Sequence, residues 1–148
     1  MKPFHRESWL SDLNYISLHM RYADKREVEA LGSTVERSLA LGFGHSTICR
    51  TIIDNRGRTV GIFGVTPLDP KVGQVWMLGT DGLVDIKTSF LKNCRDVVKG
   101  MNEQYPQLCN LIDSRNEVHL KWIKWCGFKI IGERVINNVK FYEFVRLA

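Results

Sequence analysis

Residues 116–128 of this chain read NEVHLKWIKWCGF, and this stretch gives the strongest single indication of the fold. It opens on the amide residue Asn116 and continues with apolar residues at the spacing of one helix face. It closes on Gly127 and Phe128, and glycine is favoured directly after the last turn of a helix because it adopts positive φ without strain. The stretch therefore predicts a short helix that ends near Cys126 and leads into a strand.

The residues before and after this stretch predict the elements that flank it. Ser114 and Glu117 stand at the spacing of a capping box, so the helix is expected to open at Ser114. An apolar strand is expected over 107–113, directly before the helix. Two alternating segments, 129–134 and 140–146, predict closing strands joined by an Asn-Asn turn.

The chain up to residue 42 predicts helices. Apolar residues over 9–20 indicate one amphipathic segment. Asp24 and Glu27 give a second capping-box pattern, so a further helix is expected to open at Asp24 and to end at Gly32.

The middle of the chain predicts strands and one long helix. Segments 45–54 and 58–66 are rich in Ile, Val, Thr and Phe, and Gly57 between them predicts a tight hairpin turn. A third strand is expected over 72–80, and the apolar period over 85–104 predicts the longest helix. The whole order predicts a single α/β (α+β) domain over 1–148, with a mixed sheet and helices on both of its faces.

Composition places the chain among ordinary globular proteins, since 44% of its 148 residues are hydrophobic and 25% are charged. No window has the 18 or more apolar residues that a membrane-spanning helix needs. The N-terminus lacks an apolar signal segment. We therefore expect a cytoplasmic protein without membrane contact.

Cysteine spacing and net charge limit the kinds of metal site and binding partner that we expect. The four cysteines stand far apart without a Cys-x-x-Cys pair, which predicts reduced core residues and no metal site. The net charge of +5 favours anionic partners, namely coenzyme phosphates, acidic protein surfaces or nucleic acid. Nucleic acid is the least favoured, because the basic residues are dispersed and no helix-turn-helix or RNA-platform pattern appears.

The stretch 116–128 resembles the N-x-x-A-x-x-x-Y-x-x-x-G-F segment of the Gcn5-related N-acetyltransferase (GNAT) superfamily, with Asn116, Gly127 and Phe128 in register. The predicted elements also follow the GNAT order over essentially the whole chain. The resemblance implies a GNAT-like, mostly antiparallel sheet. It also implies acetyl-CoA as cofactor, held beside this helix and the strand before it, and an amine of a protein or small molecule as the acetyl acceptor.

A narrower resemblance links the chain to small GNAT-like proteins of short-tailed, T7-type podophages, some of which are internal virion proteins. Their helix resembles N-x-x-H-hydrophobic-x-aromatic-hydrophobic-K-x-x-G, which Asn116, His119, Trp122, Lys124 and Gly127 match. This resemblance implies a bacteriophage protein located in the host cytoplasm or in the virion. Two functions stay open: an acetyl-CoA-dependent N-acetyltransferase, or a non-catalytic phage protein that serves in the virion or its assembly or binds a host factor.

In GNAT enzymes a Q/R-x-x-G-x-G/A segment binds the coenzyme pyrophosphate through backbone amides and a helix N-terminus. The corresponding segment here is 79–88, which has two glycines but not the family pattern. Asp81 and Asp85 bring negative charge to it, and Asp85 is expected to cap the long helix. The cofactor-binding candidates are Asn116, for the pantetheine arm, and Gly79, Thr80, Gly82 and Lys87.

Direct acetyl transfer needs a base for the amine proton and an acid for the departing thiolate. The tyrosine that serves as acid in the family corresponds to Ile123. His119 is the leading base candidate because its unperturbed pKa lies near neutrality, and Glu117 and Asp113 are further candidates. A packing role for His119 and a capping role for Glu117 stay open. A nucleophilic Cys126 is disfavoured by its expected packing.

Overall fold

The computed structural model describes residues 3–86 and 88–148, and at 88–92 it describes the backbone alone. Lys87, one of the cofactor-binding candidates, lies outside the described residues. The described strands are β1 (Phe4–Glu7), β2 (Ile48–Ile53), β3 (Thr59–Asp69), β4 (Val72–Gly79), β5 (Gln107–Asp113), β6 (Lys129–Ile136) and β7 (Val139–Leu147). The described helices are α1 (Leu10–His19), α2 (Tyr22–Ala30), α3 (Val35–His45), α4 (Thr88–Gln104) and α5 (Glu117–Trp125), with a 3-10 turn over Asp81–Asp85.

The strands form one seven-stranded sheet in the order β1-β2-β3-β4-β5-β7-β6. Neighbouring strands are antiparallel except for the parallel pair of β4 and β5. The predicted fold class, a mixed and mostly antiparallel sheet with helices, is confirmed. Strand β1 corrects the expectation that the chain up to residue 42 is helical. It forms through pairing with β2, which no local pattern encodes.

Helices cover both faces of the sheet, and successive residues of a strand face different layers. Helices α1 to α3 enclose a small core with Ile62 and Leu78. Helices α4 and α5 enclose the larger core, to which Phe63 and Met77 contribute. Of the four cysteines expected in the core, Cys94 and Cys126 are buried among these core residues, whereas Cys49 and Cys109 are part-buried. Among the described residues, no helix is both long and apolar enough to cross a membrane.

Strands β4 and β5 separate after a short parallel contact. Their pairing covers Val72, Gly73 and Gln74 on β4, although β4 continues to Gly79 and β5 to Asp113. Where the two strands separate, a side chain takes the place of the backbone hydrogen bonds between them: Asn110 Nδ2 donates to the Val75 carbonyl over 2.6 Å. We call this opening the fork, with residues 75–79 of β4 on one side and 110–113 of β5 on the other.

Both capping-box expectations are wrong about where the helices begin, whereas the C-terminal ends of the same two helices, α2 and α5, were predicted correctly. Helix α5 begins at Glu117 with Asn116 as N-cap, because the Asp113 carboxylate accepts the Arg115 N–H and keeps residues 113–115 in a turn. Helix α2 likewise begins before Asp24, with Arg21 as N-cap. The two predicted terminal glycines, Gly32 and Gly127, have φ of 83° and 87°.

Three other boundaries differ from expectation. Helix α3 continues to His45, so the strand expected from 45 begins at Ile48. Strand β3 continues past Thr66, through a register shift, to Asp69. Asp85 ends the 3-10 turn and is not the N-cap of α4, which begins at Thr88.

Candidate active site in the fork between β4 and β5

The fork opens into a cavity of about 400 Å³ that reaches elements on both faces of the sheet. Helices α2 and α3 wall one side, the separated strands form the middle, and α5 closes the far side. The polar side chains of the lining are Glu27, Ser38, His45, Thr66, Gln74, Asn110 and His119. Tertiary structure thus brings His119, the leading catalytic candidate, to a cavity together with a carboxylate that the sequence did not single out.

Asp24 is the centre of a buried polar cluster at the open end of the fork. Its side chain is fully buried, and Arg21 Nη1 pairs with Oδ1 at 2.7 Å. Asn116 Nδ2 donates to the same oxygen over 2.9 Å, and the Gly79 N–H donates to Oδ2 over 2.8 Å. Burial by itself would raise the pKa of Asp24, but His119, Arg21 and Asn116 outweigh it and hold this pKa below its usual value.

Helix α2 contacts both separated strands through two carboxylates one turn apart. Asp24 accepts the N–H of Gly79, the last residue of β4, and Glu27 Oε1 accepts the N–H of Asp113, the last residue of β5, over 2.6 Å. These bonds satisfy two backbone donors that the fork leaves without a ladder partner. Helix α2 therefore closes the mouth of the fork and fixes its width.

Glu27 lies part-buried at the wall of the cavity. Its Oε1 is held by Asp113, while Oε2 accepts no hydrogen bond within the described part of the chain. No described cation lies within ion-pair distance of this carboxylate. Burial raises the pKa of Glu27 to about 7, against the opposing effects of His119 and of the Asp113 N–H. Such a carboxyl exchanges protons near neutral pH.

His119 is buried on the face of α5 that lines the cavity. Its Nε2 lies 3.3 Å from Asp24 Oδ1 without a hydrogen bond between them, and Nε2 has no hydrogen-bond partner in the described chain. Ile123 follows one helical turn later and lines the same cavity. His119 is therefore a buried polar group on the cavity wall, one helical turn before Ile123.

The other sequence candidates occupy different environments. Asn116 is buried at the start of α5, and its amide is engaged by Asp24. Glu117 is exposed in the first turn of α5 and lies outside the cavity lining. Asp113 is fully buried and forms an ion pair with Arg115 at 2.6 Å, which holds its pKa below the usual value in spite of burial. Burial raises the pKa of Cys126 to about 12, so this thiol is inert.

Local contacts occupy the loop between β4 and α4. Thr80 Oγ1 accepts the Gly82 N–H over 3.2 Å, and the Thr80 N–H donates to Val60. A Cβ on Gly79 would lie 2.6 Å from Leu83, and one on Gly82 would lie 2.7 Å from Val60. The glycines here thus serve close packing, and the amides of Gly79, Thr80 and Gly82 already have acceptors. Among the described parts of this segment, the start of α4 offers the remaining helix N-terminus for an anion.

Sequence reasoning missed Arg21, Asp24 and Glu27. The available signal was their spacing, since polar residues at 21, 24 and 27 lie on one helix face next to the apolar Val28, which is buried. Charged residues on a helix face that packs against a sheet are expensive to bury unless they are paired, and they are therefore candidates for a site. Within the described chain, no cluster of three or more His, Cys, Asp or Glu side chains is arranged to hold a metal ion.

Comparison with known proteins identifies the fold. No family model matches the sequence, and no curated protein matches it significantly. Solved structures do match it over 99% of the chain. They include a proposed phosphinothricin N-acetyltransferase (16% identity, 98% of that chain, TM-score 0.71) and a GCN5-related N-acetyltransferase from Kribbella flavida (17% identity, 98% of that chain, TM-score 0.69). A third is the spermidine N-acetyltransferase of Vibrio cholerae in complex with CoA and spermine (11% identity, 95% of that chain, TM-score 0.66).

These likenesses extend over the complete sheet and its helices. The chain therefore has the fold of the GNAT acetyltransferases. At such low identities the comparison shows the fold and not the function, so the function has to be argued from the site.

Proposed function

We propose that this protein is an N-acetyltransferase that uses acetyl-CoA to modify an amine of a protein or small molecule. The observation that carries the proposal is the cavity in the fork, which places Glu27 and His119 in one space beside unpaired strand edges. A base and an acid within one cavity are what direct acetyl transfer requires. The GNAT fold supports the same reaction class.

The fork is suited to an amide-containing arm such as pantetheine. The Val75 carbonyl and the Gly79 N–H both point into the fork, since they bond to Asn110 and Asp24 there. By the alternation of a strand, Met77 between them also presents its N–H and C=O to the fork, where β5 no longer pairs with β4. In this proposal the Met77 main chain and the residues around Asn116 hold the arm, and acetyl-CoA supplies an acetyl thioester.

Two side chains divide the proton transfers. Glu27 Oε2 removes a proton from the attacking amine, for which a carboxyl with a pKa of about 7 is well matched. As the amine nitrogen bonds to the acetyl carbonyl and the carbon–sulfur bond breaks, His119 would supply a proton to the thiolate, the role that a tyrosine has in the GNAT segment where this chain has Ile123. Asp24, 3.3 Å from His119 Nε2, positions the imidazole. Neither Tyr105 nor Tyr142 lines the cavity.

A second candidate function rests on the loop after β4. The Gly79 amide is occupied by Asp24, and Asp81 and Asp85 are exposed where a diphosphate would approach. These features favour a GNAT-like protein that kept the fold without the coenzyme. In that case the chain serves as a phage protein, in the virion or its assembly or in the host cytoplasm, and binds a phage or host protein.

Titration calorimetry with acetyl-CoA at moderate salt, followed by a thiol-release assay with an amine panel, separates the two functions. The transferase proposal expects saturable micromolar binding and amine-dependent thiol release. Glu27→Gln and His119→Ala should each lower kcat by about 10²-fold to 10⁴-fold. Glu29→Gln, an exposed carboxylate on the same helix, is the matched control and should leave kcat unchanged.

The outcomes are distinct. No binding at millimolar acetyl-CoA favours the non-catalytic function. Binding and turnover that neither Glu27→Gln nor His119→Ala reduces would keep the transferase and remove these two residues from its mechanism.

A further inference from the structure

The charges of the cavity define what kind of amine it accepts. Among the described residues that line it, Glu27 is the one that carries a carboxylate, and the lining has no lysine or arginine. The neighbouring carboxylates are already compensated, because Asp24 pairs with Arg21 and Asp113 with Arg115. The cavity therefore provides one anionic oxygen, Glu27 Oε2, for one positive charge.

The remaining wall is mostly apolar and partly rigid. Trp76 forms part of this wall, with the indole N–H bonded to Ser46 over 2.8 Å and the ring packed against Gly42 of α3. A Cβ at Gly42 would lie 2.7 Å from this ring, so the glycine permits the close approach. Leu31 and Leu41 line the cavity and are 44% and 46% exposed, which leaves apolar surface open to a ligand.

We infer that the cavity binds a primary monoamine with an apolar body, its ammonium group at Glu27 and its body against Trp76, Leu31 and Leu41. This inference rests on the proposed acetyl transfer for its biological meaning, although the binding itself does not require the coenzyme. An ammonium donor at Glu27 Oε2 would bond to the oxygen of this carboxylate that accepts no hydrogen bond from the described chain. A polyamine or an aminoglycoside would bring further charges into a space whose described lining has no second carboxylate to receive them.

The ionisation of Glu27 makes this binding depend on pH. The groups that act on Glu27 are His119 on α5, Asp24 on α2, and Asp113 and Arg115 at the end of β5. A protonated Glu27 cannot form the ion pair, so affinity should rise as pH increases from 6 to 8, while an alkylamine stays protonated. A site held by apolar contacts alone would have no such dependence.

The test is calorimetry of the free protein, without acetyl-CoA, against four probes: phenethylamine, hexylamine, phenethyl alcohol and spermidine. We expect saturable binding of the two monoamines at pH 8 and binding weaker by about tenfold or more for phenethyl alcohol. Spermidine should bind more weakly than either monoamine at moderate salt. Glu27→Gln should weaken monoamine binding about tenfold or more, and Glu29→Gln should leave it unchanged.

Three results would overturn the inference: no saturable binding of either monoamine, equal affinity in Glu27→Gln, or spermidine binding tighter than the monoamines. Monoamine binding in a protein that fails to bind acetyl-CoA would support the amine site and remove the transferase. Acetyl-CoA turnover with polyamines and not with monoamines would keep the transferase and overturn the inferred substrate class.

Discussion

The fork and the loop that follows β4 adjoin each other along the chain, yet their polar groups are satisfied in different ways. In the fork, buried polar side chains come from distant parts of the sequence: Asp24 and Glu27 of α2 reach the ends of β4 and β5. In the loop, Thr80 Oγ1 accepts the Gly82 N–H, the Thr80 N–H donates to Val60 of the adjacent β3, and Asp81 and Asp85 face solvent. The fork depends on contacts from distant parts of the chain, whereas the loop depends on local contacts and on the neighbouring strand.

The proposed acetyl transfer would use the two regions for different tasks. Proton transfer and amine binding would require the fork, and binding of the coenzyme phosphates would require the loop and the start of α4. The fork contains the carboxyl group of Glu27, whose pKa is about 7. The loop carries negative charge, and few of its backbone amides are left to bind an anion. The fork is therefore where function is best supported, and the following variants test whether the two regions differ as the structure indicates.

Asp24→Ala should have the largest effect, because it removes the acceptor of three buried donors at once. Arg21 would be left as a buried charge without its partner, and the Gly79 N–H and the Asn116 amide would lose their acceptor. We expect a loss of about 3–5 kcal/mol in the free energy of unfolding, measured by urea denaturation. Asp81→Ala in the exposed loop is the control and should change stability by less than about 0.5 kcal/mol. Equal effects of the two variants would contradict the comparison.

Gly79→Ala, at the end of β4 where the fork meets the loop, should have the next largest effect and tests whether this glycine serves packing. The added Cβ would lie 2.6 Å from a Leu83 methyl and 3.0 Å from the Val60 carbonyl oxygen. Overpacking of this kind should cost about 1–3 kcal/mol of stability. Gly100→Ala, in the interior of α4 with no atom within 4 Å of the new Cβ, should instead stabilise the protein by about 0.5–1 kcal/mol. A Gly79→Ala variant that keeps its melting temperature would show a looser loop than described.

Glu27→Gln should change stability in a pH-dependent way. The pKa of Glu27 rises from 4.5 to about 7 on folding, so the folded state binds its proton more tightly than the unfolded state does. The wild type therefore loses stability as pH rises from 4.5 to 7, whereas glutamine stays neutral and keeps the bond from Asp113. The variant should match the wild type near pH 4.5 and exceed it at pH 8.

The expected gain at pH 8 is about 1–2 kcal/mol, below the roughly 3 kcal/mol of a complete shift, because Glu27 is part-buried and solvent screens its charge. Denaturation curves at pH 4.5, 6 and 8 measure it. Glu29→Gln should show no such trend. A stability difference that is constant with pH would mean that Glu27 ionises like an exposed glutamate.

The sequence predicts most of the fold because most of its elements are encoded locally. The segment expected over 107–113 is β5, and the glycines expected at the ends of α2 and α5 have positive φ. Strand β1 escapes prediction because it forms by pairing with β2, more than 40 residues away. The Asp24–Glu27 pattern misleads because the same spacing places residues on one helix face, where tertiary contacts decide their role. The Ser114–Glu117 pattern misleads because the Asp113 carboxylate keeps residues 113–115 in a turn.

The candidate site is predicted in part for the same reason. His119 and Asn116 stand in a recognisable stretch and do lie at the fork. Asp24 and Glu27 follow a local pattern that already has a simple explanation, and their partners Gly79 and Asp113 lie 55 and 86 residues further along the chain. Neither composition nor periodicity reports on such contacts.

The smallest expected effect belongs to the loop, in the variants Asp81→Asn and Asp85→Asn. Both carboxylates are exposed beside the start of α4, where they repel a diphosphate, and each substitution removes one negative charge. If the transferase proposal is right, each should tighten acetyl-CoA binding by about two- to fivefold, corresponding to about 0.3–1 kcal/mol, with a larger effect at low salt. Calorimetry of the single and double variants at two salt concentrations measures it.

Amine binding at the fork should stay the same in all of them, because the two regions use separate groups. A double variant that binds acetyl-CoA no better than the wild type at either salt concentration would mean that the diphosphate does not approach this loop, and a double variant that alters amine binding would mean that the fork and the loop are one site.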